Sequence, residues 1–156
     1  MTPEILLQTT VQVLSAALGS LAFGILFNLW GRKLLSVTLG GALGWALFLL
    51  FSGLGMSEAL AYFLVALLVS LYAEAMARLQ KAPATIFVAP SLIPLVPGSS
   101  LYYTMAYAFG GDAAKFTDKA VATLMLASAL AVGVMVATVI AGLIFKPRSP
   151  QKKGKS

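Results

Sequence analysis

Long apolar runs separated by short polar joints make up nearly the whole chain. About 30 Å of hydrocarbon needs about 20 helical residues to cross it, and runs of that length recur. The first covers residues 5–30; it carries Thr9, Thr10, Gln12, Ser15, Ser20 and Asn28 but no charge. Trp30 and the pair Arg32-Lys33 then mark an aromatic, basic membrane edge. The second run, residues 34–53, ends at Gly53-Leu54-Gly55. The third, residues 58–79, has Ser57 placed to cap it and Glu58 in its first turn, and finishes among Glu74, Arg78 and Lys81. The fourth, residues 84–109, is uncharged but holds Pro90, Pro94 and Pro97, and the fifth, residues 120–145, is stopped by Pro147. The pattern predicts an all-α integral membrane protein of about five transmembrane helices, the fourth broken by Pro90, Pro94 and Pro97-Gly98. Residues 1–145 form one membrane domain, and residues 146–156 a basic tail predicted to be disordered.

Orientation follows from the charged joints. Arg32 and Lys33, then Arg78 and Lys81, then the tail cations fall on one side only if the proline-containing segment crosses the bilayer. Five crossings place the N-terminus outside and the tail in the cytoplasm. A re-entrant fourth segment would leave four crossings and put the tail outside, against the positive-inside rule. Small residues recur at four-residue spacing as Ala16, Ser20 and Gly24, as Gly40 and Gly44, and as Gly133, Ala137 and Ala141. Such stripes let helix backbones approach in lipid, and packing is their expected role.

The stretch from Ala89 to Tyr103 is the most informative. Each proline lacks an N–H and clashes with the carbonyl one turn earlier, so one continuous helix is excluded. Pro97-Gly98 is a turn signal, and Ser99 or Ser100 is placed to cap a new half-helix. A break at membrane depth frees main-chain dipoles that lipid cannot satisfy. The new helix start is positive and suits an anion such as a carboxylate, an arrangement used by secondary transporters. Ser91, Pro94, Pro97, Gly98, Ser99, Ser100, Leu101 and Tyr102 are therefore the candidate substrate-binding residues. The competing reading makes the same prolines an interfacial loop with no ligand.

Composition narrows the chemistry. Of 156 residues 60% are hydrophobic and only 10% charged, against about 25% charged in soluble domains; mean hydropathy is +0.93. The net charge of +6 is not a nucleic-acid signature, because the cations sit in the joints and in the tail (Lys146, Arg148, Lys152, Lys153 and Lys155). With neither Cys nor His, disulfides and Ser-His-Asp or Cys-His nucleophiles are excluded, and no metal or other cofactor is expected. No enzyme activity is expected either. Residues 1–8 lack the basic start of a signal peptide, so the first run is expected to be retained. Glu74 allows two readings: a proton carrier inside the membrane edge, or the partner of Arg78 four residues on. Asn28 is expected to glue helices or to touch substrate, and Glu58 to be a first-turn helix acid.

The segment Ile93-Pro94-Leu95-Val96-Pro97-Gly98-Ser99-Ser100-Leu101-Tyr102 resembles the P-x-x-P-G-x-x-x-Y element of the threonine/serine exporter family. Phe27-Asn28 before a basic pair, a Gly-rich second span, a third span ending in basic residues and Lys81-Ala82-Pro83 also fit. More narrowly, the chain resembles the small YjjB-type subunits that correspond to the C-terminal half of the full-length exporter. The resemblance implies a proton-driven exporter of small metabolites in the bacterial inner membrane. Threonine and serine are the family's substrates, and succinate that of split pairs. It also implies a second membrane subunit of YjjP type, resembling the N-terminal half. Further copies of the chain in the same assembly are left open. A non-transporting assembly subunit, docking a partner through its small-residue faces, is the alternative.

Overall fold

The computed structural model describes residues 3–144, and every regular element among them is helical. α1 is Pro3–Leu26, α2 Arg32–Gly53, α3 Glu58–Leu79 and α4 Thr85–Leu92; a 3₁₀ turn over Ile93–Leu95 follows, then α5, Gly98–Phe109, and α6, Ala113–Ile144. The tail expected over residues 146–156 lies outside the described residues. α1, α2, α3 and α6 are each long and apolar enough to cross a membrane. α4 with its 3₁₀ turn, and α5 after it, make a fifth crossing if the pair, bent by 58°, is one span.

Helix ends account for where the observed elements depart from the expected runs. α1 stops at Leu26 rather than near residue 30, because Asn28 turns left-handed (φ 57) and the Leu29 amide bonds back to the Gly24 carbonyl at 2.9 Å. The Asn28 amide meets the Ile25 carbonyl at 2.8 Å, completing a Schellman closure. The same closure ends α2 at Gly55, and α5 ends at a left-handed Gly111 with the Asp112 amide on the Tyr107 carbonyl at 3.2 Å. The closure also ends α3 at Lys81 (φ 49), with the Ala82 amide on the Ala77 carbonyl at 2.9 Å. A left-handed backbone costs a residue with a Cβ about 1–2 kcal/mol, so lysine is a strained choice there. α3 starts where expected, with Ser57 before it, but the Ser57 side chain makes no cap hydrogen bond.

α6 begins at Ala113, not near residue 120. Asp112 caps it, its Oδ1 accepting from the Lys115 amide at 3.1 Å. Lys115 also pairs with the Asp112 carboxylate at 2.8 Å. These bonds hold the Asp112 carboxyl below its ordinary 3.8, mainly through the hydrogen bond from Lys115. Lys115, Asp118 and Lys119 therefore ride on helix rather than loop. At about 1.5 Å per residue, the 32 residues of α6 outreach the hydrocarbon.

The predicted small-residue stripes form the seams, all of them inside the chain. A Cβ on Gly24 would lie 2.7 Å from Leu34, and one on Gly41 would collide with the Ser20 hydroxyl, so α1 and α2 pack nearly backbone to backbone. Gly40 makes the same room for Ser91 of α4. A Cβ on Gly133 would lie 2.6 Å from the Phe63 carbonyl and 3.1 Å from the Leu67 nitrogen, so α6 lies directly on α3. Ala137 and Ala141 are buried along the same seam. Two apolar clusters fill the centre: Leu29, Val37, Ala73, Ala77 and Phe87, and Val65, Val69 and Leu95 against Trp45 and Phe48. Leu7, Leu18, Leu124 and Leu143 stay exposed on the outer helices, a surface suited to lipid.

Candidate functional site

The predicted break is present, and each proline has a distinct part in it. Pro90 sits inside α4, where its missing N–H deprives the Ile86 carbonyl of a helical donor. Pro94 does the same to the Pro90 carbonyl as the helix tightens into 3₁₀. Val96 is then extended (φ −61, ψ 126), because the residue before a proline is driven out of the helical region. α5 restarts at Gly98. Pro97 occupies the cap position and no side chain caps the helix, so Ser99 and Ser100 lie within its first turn rather than ahead of it.

That first turn has a definite donor inventory. The Gly98 amide folds back on the Val96 carbonyl at 2.6 Å, and the Leu101 amide makes the first helical bond, to the Pro97 carbonyl at 3.0 Å. Among the described residues the amides of Ser99 and Ser100 have no acceptor. They stand at the positive end of the α5 dipole.

The predicted site residues separate onto different faces. Ser91 is fully buried and its hydroxyl donates to the Val37 carbonyl at 3.4 Å, so it joins α4 to α2. Pro94 borders a hollow of about 330 Å³ shared with Gln12, Ser15 and Trp45, where the Trp45 indole donates to the Gln12 carbonyl oxygen at 3.2 Å. Pro97 is buried. Ser100 turns to α6: its hydroxyl lies 2.7 Å from that of Thr123, which donates to the Lys119 carbonyl at 2.7 Å. Thr123 has one proton, so Ser100 is the donor between them and its own proton is committed. Thr104 adds a contact to Thr123 at 3.2 Å and donates to the Ser100 carbonyl at 2.8 Å. Of the predicted residues, Gly98, Ser99, Leu101 and Tyr102 are exposed at the start of α5. A Cβ on Gly98 would meet nothing within 4 Å. The ring of Tyr103 packs edge-on to Tyr102 at 5.5 Å and stacks with Tyr107 at 6.4 Å, which carries aromatic surface toward the turn at Gly110 and Gly111.

Sequence reasoning missed Thr123, a polar residue among apolar neighbours whose meaning depends on what lies opposite. It also missed Gln12 as a neighbour of Pro94. Asn28 shapes the end of α1, its side-chain oxygen accepting from the Trp30 indole at 2.9 Å. Glu74 pairs with Arg78 at 3.2 Å, and it borders two hollows, of about 430 Å³ and about 240 Å³.

A family model described as Threonine/Serine exporter, ThrE, matches residues 12–140, a span that takes in α2 to α5 with the proline break and most of α1 and α6. No curated protein and no solved structure matches the chain.

Proposed function

The chain belongs to the threonine/serine exporter family, a family of membrane transport proteins, and we propose that it is one subunit of a secondary exporter for small carboxylate-bearing metabolites. The substrate is threonine or serine, or a succinate-type dicarboxylate. The proton gradient drives export, and a second membrane subunit of YjjP type, resembling the N-terminal half of the exporter, completes the machine. The chain lies in the bacterial inner membrane with its N-terminus outside and its tail in the cytoplasm.

The observation that carries this reading is the pair of unaccepted amides, Ser99 and Ser100, at the start of α5. Donors of this kind facing hydrocarbon would cost several kcal/mol each. A solute cavity removes that cost, and a carboxylate fits the positive helix end. The open face of α5 supports a second subunit. α5 has no buried residue, and among the described residues the hydroxyls of Tyr102 and Tyr103 make no hydrogen bond. Another protein surface opposite them would close the cavity and supply partners. Glu74 stands beside two hollows, where a proton carrier is useful. The assembly-subunit alternative loses its docking faces, because the small-residue stripes pack within the chain.

The test is flux. Proteoliposomes holding this chain and its second subunit should move labelled threonine, serine or succinate along an imposed pH gradient, and either subunit alone should not. Absence of flux for all three solutes, with both subunits folded and present, overturns the reading.

A further inference from the structure

We propose that Lys81, with Arg78, forms the recruitment site for the solute carboxylate, and that the route inward passes Glu74 along the cleft lined by α4 and α6. The inference rests on the exporter reading and adds its point of entry. The hollow of about 430 Å³ between the end of α3 and the start of α4 is bordered by Glu74, Arg78, Lys81 and Ala84. It is wide and open, which suits gathering a solute from solution rather than enclosing it. A narrower cleft of about 240 Å³ shares Glu74 and Ala84 with it and continues past Val88, Ala89 and Thr138. Glu74 thus stands between the two hollows and borders both.

Charge and backbone both single out Lys81. Glu74 is paired with Arg78, whereas Lys81 makes no ion pair among the described residues. Two cations against one carboxylate leave the hollow net positive, which concentrates anions at its mouth. Lys81 also holds the left-handed position that Asn28, Gly55 and Gly111 hold at the other helix ends. Those residues suit that backbone and lysine does not, so Lys81 stands against local preference. Strain of this sort, observed rather than assumed, is a pointer to function. A carboxylate arriving on Arg78 competes with Glu74 for it, and so comes to stand beside the residue that borders both hollows.

The chain has no cysteine, so A89C gives a single reporter in the narrow cleft. In nanodiscs of phosphatidylcholine, A89C should react about tenfold faster with an anionic methanethiosulfonate than with a cationic one, and succinate or threonine should slow the reaction. K81N and K81G should cut the anion preference by about threefold or more while unfolding no earlier than the parent on heating, because both relax the backbone. K81R should keep the preference. A preference unchanged in K81N and K81G overturns the proposal, as does failure of A89C to react with either reagent. Protection by phosphatidylglycerol in place of the solute assigns the hollow to lipid headgroups and overturns it too. A Lys81-dependent preference with solute protection, but no flux from the reconstituted pair, supports this site and overturns the exporter reading instead.

Discussion

The hydroxyl of Ser100 in α5 lies 2.7 Å from that of Thr123 in α6, and this contact fixes which side of α5 faces inward. Thr123 is 6% exposed, and its neighbours on α6 are apolar. T123V removes the acceptor for Ser100 and leaves that hydroxyl unsatisfied. The expected loss is about 1–3 kcal/mol, with most of it recovered in S100A/T123V, since removing both partners is nearly neutral. Thermal unfolding of the single and double variants in detergent measures both. Equal instability in the two would show that the pair is not what joins the helices.

Gly133 should be the least replaceable glycine of α6. An alanine there drives its Cβ to 2.6 Å from the Phe63 carbonyl, a main-chain atom that cannot step aside. G133A is expected to cost about 1–3 kcal/mol by overpacking. G142A, with nothing within 4 Å of the added carbon, should be neutral or slightly stabilising. Unfolding midpoints that rank the two the other way would contradict the α3–α6 seam.

G98V separates folding from transport. The added side chain has open space, so expression and unfolding should match the parent. Flux should nevertheless fall by about tenfold or more, because the branched side chain stands before the Ser99 and Ser100 amides (a loss of about 1.4 kcal/mol corresponds to tenfold). Unchanged flux would remove the start of α5 from the substrate path.

E74Q distinguishes the two roles of Glu74. The pair with Arg78 is partly exposed, at 15% and 40% for the two side chains, and a helical pair of this spacing contributes only about 0.3–0.5 kcal/mol. Stability should therefore barely change, while pH-driven flux should fall. Full flux with an intact response to the gradient would reduce Glu74 to half of a surface pair.

Asp112 sets a pH dependence at the start of α6. Its carboxyl is held below the ordinary 3.8, mainly by the hydrogen bond from Lys115. A depressed folded value means the cap contributes fully above the ordinary value, and its contribution is lost as pH falls through the lowered one. Protection of the first-turn amides of α6, measured against their intrinsic exchange rates, should fall over that acid window, and D112N should remove the dependence. The same acid response in D112N would assign it to another group.

The sequence carried the crossings, the break and the seams because each has a local cause. Apolar length marks a span, Pro97 cannot continue a helix, and glycine at four-residue spacing lets backbones meet. The start of α6 was not legible. Hydropathy reports where lipid ends rather than where helix ends, and Lys115, Asp118 and Lys119 read as loop although the helix runs through them. The faces of the site were hidden for a related reason. Helical periodicity ties residues to one side only while the helix is unbroken, and the extended Val96 resets the phase. Ser91, Pro94 and Ser100 therefore belong to three different neighbours, and no count along the chain could sort them. Glu74 with Arg78 was legible as a pair, since four-residue spacing within one helix needs no tertiary knowledge.

Because the main packing partner of α5 is α6, the half-helix is a beam laid against a single neighbour. The short turn through Gly110 and Gly111 anchors one end, the Ser100–Thr123 contact latches the other, and the Val96-Pro97 link joins that end to α4 across a bend of 58°. Releasing the latch would loosen that end most, which is where the two unaccepted amides sit. Spin labels at Ser99 and Ala127 would register that loosening as a broadened distance distribution in T123V, and an unbroadened one would show the beam to be clamped along its whole length.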